Sequence, residues 1–182
     1  MDFLVIDDDK TFRDATCLLI DSESHYAESA ASGELGLTLL KEEKFDAVLL
    51  DLNLGPEKGL DILDQILKCR PNLPVIIFTA QGNVKNAVEA MRRGAVDFLE
   101  KPFSRAQFHL VLARVRRFHA LLGCVEKGLP VNWADLAATC GYYDQAHLIH
   151  DFREFAGVTP HEYSRTAMPS PNRNLLATAA AS

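Results

Sequence analysis

Apolar positions along the chain follow two alternating patterns. Short runs at Phe3–Ile6, His25–Ser29, Ala47–Leu50, Pro74–Phe78 and Val96–Leu99 recur at intervals of roughly 20–25 residues and read as strands. Between them apolar residues return with helical period: Leu35, Leu39 and Leu40; Leu60, Leu63, Ile66 and Leu67; Val84, Ala87, Val88 and Met91. Strict alternation of strand and helix predicts an α/β fold, a five-stranded doubly wound parallel sheet covered on both faces. A fifth helix, at about Ser104–Leu122 with Ser104 as its N-cap, closes the unit.

Beyond Gly123 the strand signal stops. Two helical patterns, Val131–Thr139 and Asp144–Phe155, flank Cys140-Gly141-Tyr142-Tyr143 and outline a small all-α helix-turn-helix, with Asp144 as N-cap of the second helix. Gly157 ends that helix, and Thr159 caps a last short one at Pro160–Arg165. The expected organisation is a main domain at 1–119, a linker at 120–130 continuing the fifth helix, a helix-turn-helix at 131–166 and a disordered tail at 167–182.

With 182 residues, 48% of them hydrophobic, the chain can bury one good core plus an appendage. It has no uninterrupted apolar stretch of about 18 residues and no basic leader, so a cytosolic protein without a membrane partner is expected. Cys17, Cys69, Cys124 and Cys140 form no C-x-x-C pair and read as small buried side chains. Charge is unevenly distributed within the net −6. Residues 1–104 balance at −8 and residues 123–182 at −2, whereas 105–122 hold Arg105, Arg114, Arg116 and Arg117 with no acid. That basic segment is either a phosphate-backbone contact or an ordinary solvated helix face.

In an open parallel sheet, ligands bind beyond the carboxyl ends of the strands. Asp7 and Asp8 follow the first strand, Asp51 the third, Thr79 the fourth and Lys101 the fifth. Carboxylates crowded together repel one another, so a hard divalent cation is implied, and Mg²⁺ suits oxygen ligands beside a phosphoryl group. Asp51 can then attack a phosphoryl donor in line, while Lys101 and the Thr79 hydroxyl stabilise the remaining phosphoryl oxygens. Asp9 reads as the start of the first helix.

Four motifs in order, Leu4-Val5-Ile6-Asp7-Asp8-Asp9, Val48-Leu49-Leu50-Asp51-Leu52-Asn53-Leu54, Thr79-Ala80 and Asp97-Phe98-Leu99-Glu100-Lys101-Pro102-Phe103, make residues 2–119 resemble the flavodoxin-like receiver domains of two-component response regulators. The resemblance implies Asp51 as phosphoacceptor and Asp8, Asp51 and the backbone carbonyl of Asn53 as Mg²⁺ ligands, with Asp7 assisting. It implies a phosphate-contact and switch set of Thr79, Ala80, Phe98 and Lys101, and a cis bond before Pro102. Asn53 and Gln81 match the positions that tune spontaneous loss of phosphate. Phe98 matches the aromatic that turns inward on activation, its simpler role being core packing. Gly55-Pro56 departs from the family's usual Pro-Gly order, while Gly59 keeps its place.

The stretch Trp133–Phe155, continued by Gly157-Val158-Thr159-Pro160-His161-Glu162-Tyr163, resembles the second helix-turn-helix of AraC-type transcription regulators. Arg116–Leu122 resembles the long helix that precedes that motif. Leu148, Phe152 and Phe155 form an inward stripe, leaving Gln145, His147, His150 and Arg153 on or near the outer face as DNA contacts. Only one such motif fits here, and residues 123–165 balance at −3. Together the resemblances imply a phosphorylation-controlled transcription regulator, not an enzyme, with a histidine kinase as phosphodonor, DNA as partner and a homodimer on activation. A phosphorelay or docking receiver whose helical appendage binds a protein is the alternative.

Overall fold

The structure, a computed structural model, describes residues 1–55, 57–80, 84–125, 132–156 and 158–167. The expectations for Pro56, Gln81, Gly157, the end of the linker and the tail beyond Ala167 lie outside the described residues, as does the Phe155 side chain. The elements in chain order are β1 (Asp2–Ile6), α1 (Lys10–Ser22), β2 (Tyr26–Ala30), α2 (Gly33–Glu42), β3 (Ala47–Asp51), β4 (Asn53–Leu54), β5 (Glu57–Lys58), α3 (Gly59–Cys69), β6 (Val75–Ala80), α4 (Val84–Arg92), β7 (Asp97–Lys101), α5 (Arg105–Val125), α6 (Trp133–Thr139), α7 (Gln145–Ala156) and α8 (Pro160–Ala167).

Five strands form one parallel sheet in the order β2-β1-β3-β6-β7. The order reverses between β1 and β3, which places the switch-point crevice at the carboxyl ends of those two strands. Because strand side chains alternate between faces, the sheet divides the core in two. Leu4, Ile6, Val48, Leu50, Val75 and Ile77 meet α2, α3 and α4 on one side. Phe3, Val5, Leu49, Ile76 and Phe78 meet α1 and α5 on the other.

Helix starts follow the sequence closely. The Asp9 carboxylate caps α1 by accepting the Thr11 and Phe12 amides. Ser104 and Gln107 form a reciprocal box at the start of α5, and Thr159 and Glu162 another at α8. Asp144 accepts the His147 amide at 2.7 Å and caps α7. Strands β3, β6 and β7 run further than their apolar runs, so Asp51, Thr79 and Lys101 lie inside the hydrogen-bonded ladder. The small antiparallel β4–β5 pair was not expected. It brings Glu57 back to accept the Gly33 amide at 2.6 Å. Gly59 is required for close approach: a Cβ there would stand 2.4 Å from the Leu52 Cα and 2.7 Å from the Asp51 carbonyl oxygen.

The core on the α1–α5 side does not stop at the sheet domain. It continues along α5 through Phe118 and Leu121 into Ala137, Cys140, Tyr142, Leu148 and Phe152 of the helix-turn-helix. Phe118 and Phe152 are fully buried with ring centroids 5.6 Å apart. Side chains of this kind contribute roughly 1.5–3 kcal/mol each when removed from water. One apolar seam therefore joins the appendage to α5.

Candidate functional site

Asp7 leaves β1 fully buried, its amide bonded to the Ala30 carbonyl at 3.1 Å. Its Oδ1 accepts the Asp9 amide at 2.9 Å, and its carbonyl accepts from Arg13 Nη1 at 2.5 Å. Asp51 ends β3 with 4% of its surface exposed, and its Oδ1 accepts the Asn53 amide at 3.0 Å. The remaining carboxylate oxygens converge on one cation. Lys101 Nζ donates to Asp7 Oδ2 at 2.6 Å and to Asp51 Oδ2 at 2.5 Å. The ammonium also lies 4.3 Å from the centroid of the Phe12 ring, whose negative face favours it.

Burial pushes the Asp7 carboxyl above the ordinary carboxylate range, against the opposing pull of Lys101. Burial likewise opposes the charge on Lys101, but Asp51 and Asp7 together outweigh it and hold the ammonium's pKa above its usual value. Asp8 is exposed at the mouth, and Asp7, Asp8 and Asp51 each offer an oxygen within 4.8 Å of the others. Beside them opens a cleft of ≈ 570 Å³ lined by Asp8, Asn53, Gly55, Lys58, Asn86 and Arg93 among others. Two buried carboxylates and an exposed third at a switch point have the geometry to take up a hard cation and a tetrahedral anion.

The structure thus brings Asp7, Asp8, Asp51 and Lys101 together. Asn53 follows directly, its amide tied to Asp51. Thr79 is buried at the end of β6 with its hydroxyl donating to the neighbouring Ala80 carbonyl at 3.0 Å, not to Asp51. The Lys101–Pro102 bond is cis. Phe98 is not a core residue: 44% of it is exposed, on the rim of a cleft lined by Ala87, Val88, Met91 and Ala95. The alternation of β7 turns it to the face opposite Leu99, which takes the buried position instead.

On α7, Gln145, His150 and Arg153 are exposed, and Leu148 and Phe152 are fully buried against α5. His147 lies near the outer face, partly covered. Its ring is half-buried, Nδ1 accepts the Tyr143 amide at 3.3 Å, and it meets the Tyr142 ring edge-on at 5.3 Å. The basic segment is likewise engaged within the protein. Arg105 pairs with Glu23, and Arg116 Nη2 lies 2.7 Å from His25 Nε2. Arg114 pairs with Asp97 at 2.8 Å and Glu154 at 2.5 Å. Arg117 faces Asp151 at 3.6 Å. Glu23 just after α1, Asp97 on β7 and Asp151 and Glu154 on α7 thus engage three of the four arginines, and His25 meets the fourth, so the choice between a phosphate contact and a solvated face has to reckon with partners inside the protein. An acid-free segment followed by one with excess acid was the available signal for this pairing.

Residues 3–113 match the response regulator receiver domain family, and residues 130–164 match bacterial regulatory helix-turn-helix proteins of the AraC family. The alginate biosynthesis transcriptional regulatory protein AlgB of Pseudomonas aeruginosa is 36% identical over 126 residues, 68% of this chain and 28% of that protein. The transcriptional regulatory protein GlrR of Escherichia coli is 37% identical over 102 residues, 56% of this chain and 23% of that protein. The chain thus spans about a quarter of the length of these curated relatives. The receiver domain of NtrX from Brucella abortus superposes with a TM-score of 0.60 at 36% identity, covering 62% of this chain and 96% of that one. A response regulator receiver domain protein from Clostridium thermocellum gives 0.63 at 31%, covering 66% and 98%. Among the described residues, no helix is long and apolar enough to cross a membrane.

Proposed function

The chain belongs to the response regulator receiver family, and from that premise we propose that it is a phosphorylation-controlled transcription regulator of a two-component system, phosphorylated on Asp51 and acting through DNA. The observation that carries the proposal is the convergence of Asp7, Asp8 and Asp51 within 4.8 Å, closed by a single ammonium from Lys101. The match of residues 130–164 to AraC-family regulators supplies the output.

Transfer from a histidine kinase would proceed with an Asp51 oxygen attacking phosphorus as the bond from phosphorus to the donor imidazole breaks. Lys101, 2.5 Å from Asp51, would hold a phosphoryl oxygen from that position. The Thr79 hydroxyl would turn from the Ala80 carbonyl to a second oxygen, and Phe98 would turn inward. The donor set fits a hard divalent cation, since three carboxylates face a single ammonium. Asp8, Asp51 and the Asn53 carbonyl would hold Mg²⁺ with Asp7 assisting, and the bound ion would supply positive charge that offsets the crowded carboxylates and the incoming phosphoryl group. Gln145, His150 and Arg153 would contact DNA from the exposed side of α7, with His147 acting from the turn. A homodimer would then place two such helices about one helical turn apart on a symmetric site.

Two measurements test this. Incubation with a small phosphodonor and Mg²⁺ should add one phosphoryl group by intact mass, and Asp51→Asn should abolish the addition. A mobility-shift titration with and without beryllofluoride should show tighter DNA binding on activation and a marked salt dependence. The engaged arginines and the −3 balance of residues 123–165 favour a second reading, in which the appendage docks on a protein. Absence of DNA binding at low salt would leave that reading in place.

A further inference from the structure

The output unit must sense the state of Asp51, and the contacts beside Phe98 offer a route. The Phe98 amide donates to Asp97 Oδ1 at 2.9 Å. Asp97 Oδ2 accepts from Arg114 Nη1 at 2.8 Å, and the same nitrogen donates to the Val96 carbonyl at 3.1 Å. Arg114 Nη2 donates to Glu154 Oε2 at 2.5 Å and lies 3.6 Å from Asp151 Oδ1. One guanidinium therefore binds the start of β7 with one prong and Glu154 of α7 with the other, a span that suits its planar fork of donors better than a compact ammonium.

We infer that Arg114 is a positioning residue for α7, setting where that helix sits on α5 and passing changes at Phe98 to Asp151 and Glu154. The inference rests on the reading of residues 132–167 as the DNA-binding output.

Two further observations support it. First, the seat of α7 is incompletely satisfied. Asp151 has 4% of its surface exposed, yet Arg114 and Arg117 stand 3.6 Å away, beyond hydrogen-bond distance. Among the described residues, Asp151 Oδ2, Arg117 Nε and the Tyr142 hydroxyl are buried without a hydrogen-bond partner. Buried polar atoms left unpaired cost free energy, so a small displacement of α7 that pairs them competes with the present seat. An element with two packings of similar energy is what a switch requires. Second, Glu154 lies on the rim of the same cleft, ≈ 370 Å³ in volume, that Phe98 borders. Movement of the Phe98 ring into that cleft would alter the surroundings of Asp97 and Glu154 together, two acids that Arg114 bonds at 2.8 and 2.5 Å.

The test compares the full chain with Arg114→Gln, Arg114→Lys, Glu154→Gln and Arg116→Gln, each with and without beryllofluoride and Mg²⁺. Hydrogen exchange of the α7 amides is the readout independent of DNA, and DNA affinity is the second. In the unaltered protein, activation should change α7 exchange several-fold and DNA affinity by about 5–150-fold, the ordinary range of allosteric coupling. Arg114→Gln should flatten both responses while still binding beryllofluoride, and Glu154→Gln, at an exposed position beside His150, should flatten the exchange response, which is read without DNA. Arg114→Lys should recover part of the response. Arg116→Gln, which loses a contact to His25 within the receiver, should keep all of it. An α7 that does not respond in the unaltered protein, or a full response in Arg114→Gln, would overturn the inference. Failure of the unaltered protein to bind DNA counts against the output reading alone, because the exchange experiment stands without it.

Discussion

Two clusters of opposite charges lie at the two ends of α5's influence, and they are built differently. At the strand ends, Lys101 meets Asp7 and Asp51 in bonds of 2.6 and 2.5 Å, on backbone held in the ladder of a five-stranded sheet. At the seam, Asp151 has two guanidinium neighbours at 3.6 Å, and three polar atoms lack partners among the described residues. A tightly bonded cluster with surplus carboxylate suits chemistry that must be repeated at one position. A loosely satisfied one suits a joint, where several arrangements of similar energy must be reachable.

The comparison breaks most sharply if the seam is emptied. Phe152→Ala removes a fully buried ring packed on Phe118 and Tyr163 and should cost about 3–5 kcal/mol. The sole tryptophan, Trp133, sits against the same cluster, so its fluorescence reports the helix-turn-helix. In the unaltered chain the urea transitions by Trp133 fluorescence and by far-ultraviolet circular dichroism should coincide. In Phe152→Ala the fluorescence midpoint should fall first. Coincident midpoints in the variant would mean that the seam does not hold the appendage. Gly59→Ala strikes the other region. Its Cβ would press on the Leu52 backbone and the Asp51 carbonyl, neither of which can yield as a side-chain tip would. An overpacking cost of about 1–3 kcal/mol is expected, with slowed phosphoryl uptake and coincident midpoints.

The same contrast explains what could be read in advance. Strand ends repeat with the sheet's period, so Asp7, Asp51 and Lys101 were placed by counting from Ile6, Leu50 and Leu99, and the topology rule brought them together. Local period announces the apolar side of the seam, the Leu148 and Phe152 stripe, but not its ion pairs. Arg114 finds Asp97 across 17 residues and Glu154 across 40, and an arginine stripe that is ion-paired has the same pattern as one that is solvated. The bond that His147 makes was not legible for a related reason: a helix's first turn can fold a side chain back onto the amides before it, which period alone does not encode. The exposure of Phe98 depends on which rotamer and face β7 offers, and its aromatic character fits either.

A smaller perturbation tests whether α5 transmits between the two regions as one rod. Ser104→Ala removes the hydroxyl that caps the Gln107 amide and its bond to the Gln107 side chain, with an expected cost of about 1 kcal/mol. Its effect should appear as faster amide exchange in the first turn of α5 and leave the Trp133 midpoint almost unchanged. A Trp133 midpoint that falls as far as in Phe152→Ala would mean that the seam depends on the start of α5 as much as on its own packing.

The least invasive probe uses a native thiol. Burial pushes Cys140 up to about 11, aided by the neighbouring Cys124, whereas Cys69 is exposed. At pH 8 a thiol of that pKa is ionised to about one part in a thousand, and the thiolate is the species that reacts. A disulfide reagent should therefore modify Cys69 in the folded protein long before Cys140, with both reacting together in urea. Because the folded pKa lies above the ordinary thiol value, the stability contributed by the protonated form is complete below about pH 9 and is lost as pH rises toward 11. The Trp133 midpoint should decline across that window, and Cys140→Ser should lessen the decline. If beryllofluoride speeds the labelling of Cys140 but not of Cys69, the seam opens when the strand-end site is filled. Equal rates at the two thiols in the resting protein would show the seam already open, and the contrast between a tightly bonded site and a movable joint would then fail at the joint.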